Sequence, residues 1–353
     1  MTATLQERDI EEHTQDLDDR FVVVGEILSG LSPVNDMKAE NQEVTPVSTL
    51  NLVFTPDKNS KPAFSTSTYT LRGISAPGAT KTAFGAGATT GLYTYPIFDP
   101  TVLYKIAKQA GIKLKDLWDF IIHQHIPQDW SNQKLLVVLW LLSQGRSCDI
   151  WTSYAHLENN KLEIPKVYNP GDFIENQGAW GDVLYGTPVI FLDGSGNMAY
   201  QGCEIIAVVN AYTAMGIYLT EDQVAELICH FEGRGGTLYG GFGTSPTVIL
   251  EYLTAQGYET QVCQEENYTE IEQIAKTSDT LIVTVYNNED DLTRMIHTVN
   301  VQKVDNGDGT YSYIVHNGHS TTAYPTAEQA IESIGDSGKT GVIQVIGVSK
   351  PTT

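Results

Sequence analysis

Residues 200–215 read Tyr200-Gln-Gly-Cys-Glu-Ile-Ile-Ala-Val-Val-Asn-Ala-Tyr-Thr-Ala-Met215, and this run decides how the rest of the chain is interpreted. Apolar side chains at nearly every position from Ile205 onward predict a helix buried all round, with no solvated stripe. A glycine and then a cysteine stand at its start. The first N–H groups of a helix have no partner within it, and together with the helix dipole they favour a thiolate at Cys203. A thiolate is the nucleophile of acyl chemistry, and Gly202 would let a substrate backbone come close. The plain alternative is that Cys203 belongs to the core, because free cysteine is among the most buried residue types. Taken alone it reads that way, and Cys148, Cys229 and Cys263 do so throughout.

The flanking pattern is that of an α+β domain. Upstream, Pro188-Val-Ile-Phe-Leu192 reads as a strand and Asp193-Gly-Ser-Gly196 as a turn. Downstream, residues 222–231 and 245–256 read as helices, the second entered through Ser245-Pro246. The hydrophobic period then changes to two, giving strands over 280–286, 297–304, 311–316 and 341–348. Helices followed by an antiparallel sheet is the α+β order. His297 opens the second of these strands. Asp305-Asn-Gly-Asp-Gly309 has the Asp-Gly signature of a hairpin turn, so Asn317 at the far end returns beside His297. There its side-chain carbonyl can orient the imidazole. Nucleophile, base and orienter then follow as Cys203, His297 and Asn317 in chain order. His316 and His319 compete for the role of base, but His316 points to the opposite face.

In these residues the chain resembles the papain-like cysteine peptidases, in particular the peptidase C39 type. The likeness rests on Gln201-Gly-Cys-Glu-Ile-Ile-Ala-Val-Val-Asn-Ala211, the Gly-Thr-Ser-Pro246 helix start, the His297 strand and the Asn317 hairpin end. It covers residues 185–350. It implies a papain-like fold, with a helical subdomain bearing the cysteine packed on an antiparallel sheet bearing the histidine. It also implies hydrolysis of a peptide or related amide in a peptide or protein substrate, through a thioester acyl-enzyme. The group has a glutamine about six residues before the cysteine as an oxyanion donor, a type of group worth about 3 kcal/mol. Asn197 holds that spacing here, with Gln201 as the second candidate. Glu204 departs from papain itself and would oppose thiolate formation if it faced the sulfur. An acyltransferase on the same fold shares the acyl-enzyme, and a non-catalytic binding protein of this fold is the reading from another class.

Composition bounds the remainder. The chain has 353 residues and a formal charge of −22, which disfavours nucleic acid and anionic membrane as partners. The first 20 residues hold 7 carboxylates and 2 arginines, the reverse of a secretory signal. The longest apolar run, over 135–142, is far short of the roughly 20 residues a membrane span needs. The expected location is therefore cytoplasmic, or outside the cell by a signal-independent route. The 4 cysteines form no C-x-x-C pair, so no disulfide framework, metal or cofactor is expected.

Two domains are expected, 1–184 and 185–353. The first comprises an acidic tail over 1–20, β-like runs over 21–27 and 47–54, and a Ser/Thr/Gly/Ala-rich irregular stretch over 58–94. A block of helices over 99–109, 115–123 and 133–143 follows, then loop over 150–185. Part of it is expected to act as an intramolecular prosegment or recognition domain. Gly233-Arg-Gly-Gly-Thr-Leu-Tyr-Gly-Gly-Phe-Gly243 lacks the Lys-Ser/Thr ending of a phosphate loop and follows a helix, so it reads as a mobile rim over a cleft.

Overall fold

A computed structural model describes residues 100–189, 194–291 and 296–351, all within one compact unit. The expectations for the acidic tail, the two β-like runs, the irregular stretch and the prosegment lie outside the described residues. So does the part of the 188–192 strand from residue 190 on.

Helices come first: α1 (Pro100–Ala110), α2 (Leu114–His123), α3 (Asn132–Leu142) and α4 (Ile150–Glu163). Gly111, at φ +65°, turns the chain between α1 and α2, a left-handed position that glycine takes without steric cost. Short α5 (Met198–Gln201) leads into α6 (Cys203–Ala214), followed by α7 (Glu221–Gly233) and α8 (Pro246–Ala255). Then come β1 (Glu259–Cys263), α9 (Tyr268–Thr277), β2 (Thr280–Tyr286), β3 (Ile296–Asp305), β4 (Tyr311–His316), β5 (Ala323–Tyr324), α10 (Ala327–Glu332) and β6 (Gly341–Ser349). The strands form one antiparallel sheet in the order β1-β6-β2-β3-β4-β5. The fold is α+β.

Helix α6 lies at the centre of the described residues' core. Every residue from Cys203 to Thr213 is buried, the polar Asn210 by bonding both main-chain groups of Ile174. One side of it meets Ile282, Ile346 and Val348 of the sheet, and the other meets Leu157 of α4, Leu227 and Phe231 of α7 and Ile249 of α8. Each fully buried aliphatic side chain here is worth about 1.5–3 kcal/mol. The opposite sheet face, with Val283, Val299 and Val345, is covered by Ile274 of α9 and Ile331 of α10. A third cluster joins α1–α3 to Phe242, Tyr286 and Ile343.

Two expectations about organisation are corrected. Residues 150–163 are helical rather than loop, with Asp149 accepting from the N–H groups of Trp151 and Thr152 at 2.9 and 3.0 Å. The buried stripe of α4 is Ser153, His156, Leu157 and Asn160. It has helical spacing, but three of its four members are polar, so the hydrophobic period that betrays a helix is absent. The boundary at 184/185 is corrected with it. Leu157, Ile164, Tyr168 and Trp180 lie in the same core as α6, so that position divides no hydrophobic core.

Candidate active site

Cys203 is the first residue of α6. A Cβ on Gly202 would lie 2.6 Å from the Met198 carbonyl and 2.7 Å from its sulfur. Glycine is therefore needed for the tight passage from α5 to α6. The Cys203 side chain packs against β3, where the main-chain N–H of Thr298 points at the sulfur. Burial nonetheless drives the thiol well above its ordinary value, the Glu204 carboxyl adds to the effect, and the Thr298 N–H only partly opposes it. The expected lowering of this thiol is thus reversed. The loss of hydration outweighs the helix dipole once the sulfur is covered.

Glu204 is 1% exposed and its carboxyl is pushed up to about 7 by burial, against N–H donation from Thr244. Its neighbour is Gly243, at φ +70°, where a Cβ would overlap the carboxyl group itself. The glycine-rich segment is therefore not a mobile rim. Thr237 and Thr244 are fully buried, and a Cβ on Gly236 would lie 2.5 Å from Cβ of Ser147. The glycines let main chain close the wall around Glu204.

His297 stands at the entrance of β3, opposite Val285 of β2 and one residue from the Thr298 contact with the sulfur. Its Nε2 donates to the main-chain carbonyl of Asn317 at 2.9 Å. That bond fixes the tautomer, leaving the lone pair of the neutral ring on Nδ1. Burial lowers the ring's affinity for a proton, and the Asn317 carbonyl partly restores it. No direct hydrogen bond between the Cys203 sulfur and the His297 ring is found among the described contacts. Along β3, His297 has the parity of Val299 and Val301, whose side chains face α9 and α10, and its ring is tied at the strand end by the bond to Asn317.

Asn317 is therefore an orienter through its backbone, not through its side chain as expected. It sits at φ +62°, a left-handed conformation that asparagine tolerates better than most residues. Its side chain faces Gln177 instead. His316 is occupied as well, stacked 3.6 Å from Phe173 with its Nδ1 against Glu175 at 2.6 Å.

Each expected oxyanion donor already makes a hydrogen bond elsewhere. Asn197 caps α5, accepting from the Tyr200 N–H and donating to the Gly194 carbonyl at 3.1 Å. Gln201 is buried and donates from Nε2 to the Tyr185 carbonyl at 2.6 Å. Each amide spends one of its two N–H groups on these carbonyls, a demand that residue spacing does not reveal. Thr298, Thr244, Glu175 and Gln177 enter the site without any motif that points to them. Glu175 and Gln177 in particular lie about 140 residues from Asn317 in sequence.

A second buried group comprises Cys148, His156 and Glu232, whose ligand-type atoms lie within 4.8 Å of one another. The Glu232 carboxylate already faces the His156 ring at 2.5 Å and accepts from the Gly186 N–H and the Ser153 hydroxyl, each at 2.9 Å. Its oxygens are satisfied by protein donors, which marks the group as a polar tie between α4 and α7. No helix among the described residues is long and apolar enough to cross a membrane. Comparison with protein-family models, curated proteins and solved structures found no match.

Proposed function

We propose that this chain is a papain-like cysteine hydrolase acting on a peptide or related amide, with Cys203 as nucleophile and His297 as general base. The observation that carries the proposal is the tautomer of His297. A ring held neutral by burial, with Nε2–H fixed on the Asn317 carbonyl, presents a basic Nδ1 at the start of β3, next to the residue that touches the Cys203 sulfur. Thiol and imidazole both rest uncharged. Attack then transfers the sulfur's proton to Nδ1 as the S–C bond forms, giving a tetrahedral adduct. Its collapse expels the amine, which takes that proton, and leaves a thioester that water hydrolyses. Main-chain N–H groups at the start of α6 supply donors at the oxyanion. A second nucleophile in place of water would make the same site an acyltransferase.

One observation favours a different reading, a binding protein of this fold. Cys203 is buried beside a carboxyl group, and burial raises its thiol. Iodoacetamide labelling of the full chain, followed peptide by peptide, separates the two. The hydrolase reading expects Cys203 to react ahead of Cys148, Cys229 and Cys263, and His297→Ala to slow it. Four equally slow thiols, indifferent to His297, would establish the binding protein.

A further inference from the structure

The Cys203 helix packs directly on β3, and the Gln177 side chain adds a second link, between α5 just ahead of that helix and the end of the β3–β4 hairpin. Gln177 stands at the start of a short 3-10 turn, Gln177–Trp180. Its Nε2 donates to the Ala199 carbonyl at 3.0 Å, in α5, just ahead of Cys203. Its Oε1 accepts from Asn317 Nδ2 at 3.1 Å, and its main-chain N–H donates to Asn317 Oδ1 at 3.1 Å. Two residues earlier, Glu175 accepts the Asn317 N–H at 3.1 Å and the His316 ring at 2.6 Å. The Asn317 peptide that holds His297 is thus gripped at its N–H and at both side-chain polar atoms, leaving its carbonyl for the imidazole.

We infer that Gln177 is a positioning residue that sets the separation between the Cys203 sulfur and the His297 ring, with Glu175 steadying the hairpin beneath it. The inference rests on the Cys–His reading above. A loop needs only main-chain bonds to be tied down. Here a primary amide spends its donor on the nucleophile's side and its acceptor on the base's side, so its length fixes the gap between them. Glu175 is 39% exposed, and burial disfavours the protonated form of its partner His316, so their contact is a hydrogen bond rather than an ion pair, and Gln177 alone of the two also bonds to α5.

The test compares Gln177→Ala, Gln177→Glu and Gln177→Met in the full chain, by the rate of iodoacetamide alkylation of Cys203 between pH 6 and 9, with a thermal melt of each. Gln177→Glu keeps the acceptor for Asn317 while replacing the donor to Ala199 with a carboxylate, and Gln177→Met, neutral and of like length, loses the donor without adding charge, so the pair decides the matter should the alanine variant melt early. All three variants should alkylate more slowly by about tenfold to a hundredfold, the penalty of roughly an ångström of misplacement. Each should add no further loss when combined with His297→Ala, because both act on the same pair. Full rate in the variants, or losses that add in full to that of His297→Ala, would overturn the inference while leaving the Cys–His reading intact. A His297→Ala variant that alkylates like the unaltered chain would instead sink that reading, and the inference with it.

Discussion

Glu204→Gln is the sharpest perturbation available, because the carboxyl touches both the nucleophile and the wall of the site. Burial raises Glu204 from an ordinary 4.5 to about 7, a displacement of roughly 2.5 pH units at about 1.4 kcal/mol each, or about 3.5 kcal/mol. The folded chain holds this proton more tightly than the unfolded chain does. The associated stability is therefore complete below pH 4.5, falls as the pH rises, and is gone above about 7. The glutamine, always neutral, does not titrate. Urea unfolding of both proteins from pH 5 to 9 should show the native chain losing about 2.5 kcal/mol relative to the variant. The same substitution removes a charge that opposes the thiolate, so the variant's Cys203 should alkylate faster above pH 7. Parallel stability curves across that range would show that Glu204 is hydrated or paired, and would refute the account of both groups.

Gly243→Ala places a methyl on the Glu204 carboxyl at a positive φ, and should lower stability by about 2–4 kcal/mol in thermal or urea unfolding. A second substitution, Glu204→Ala, should recover part of that loss. Asn317→Gly keeps the left-handed backbone and the carbonyl that binds His297. It removes the side chain that Gln177 holds, so it should slow Cys203 alkylation about as much as Gln177→Ala and add no further loss to it, whereas an orienter acting on the ring through the asparagine side chain would cost as much as His297→Ala. Asn317→Ala should be less stable than Asn317→Gly by about 1 kcal/mol, read from urea midpoints. Asp149→Ala removes the cap of α4, which should lower stability by about 1 kcal/mol without changing Cys203 alkylation.

The parts of this protein that follow a single rule of periodicity were legible from the sequence. The unbroken apolar run after Cys203 could only be a buried helix, and the alternating runs became β2, β3, β4 and β6 with ends within a residue of expectation. The Asp-Gly turn brought Asn317 back to His297 as hairpin geometry requires. What the sequence could not decide depended on neighbours distant along the chain. Helix α4 was hidden because its buried positions Ser153, His156 and Asn160 are polar and satisfied by residues far away. Asn197 and Gln201 had the right chemistry for an oxyanion site, but a capping demand and the Tyr185 carbonyl claimed them first. The sign of the Cys203 shift was the largest reversal. Position at a helix start is a local property and favours the thiolate, whereas burial beside Glu204 is a tertiary one and disfavours it. Desolvation of a charge exceeds the pull of one helix end, so the tertiary structure decided the resting state of the thiol.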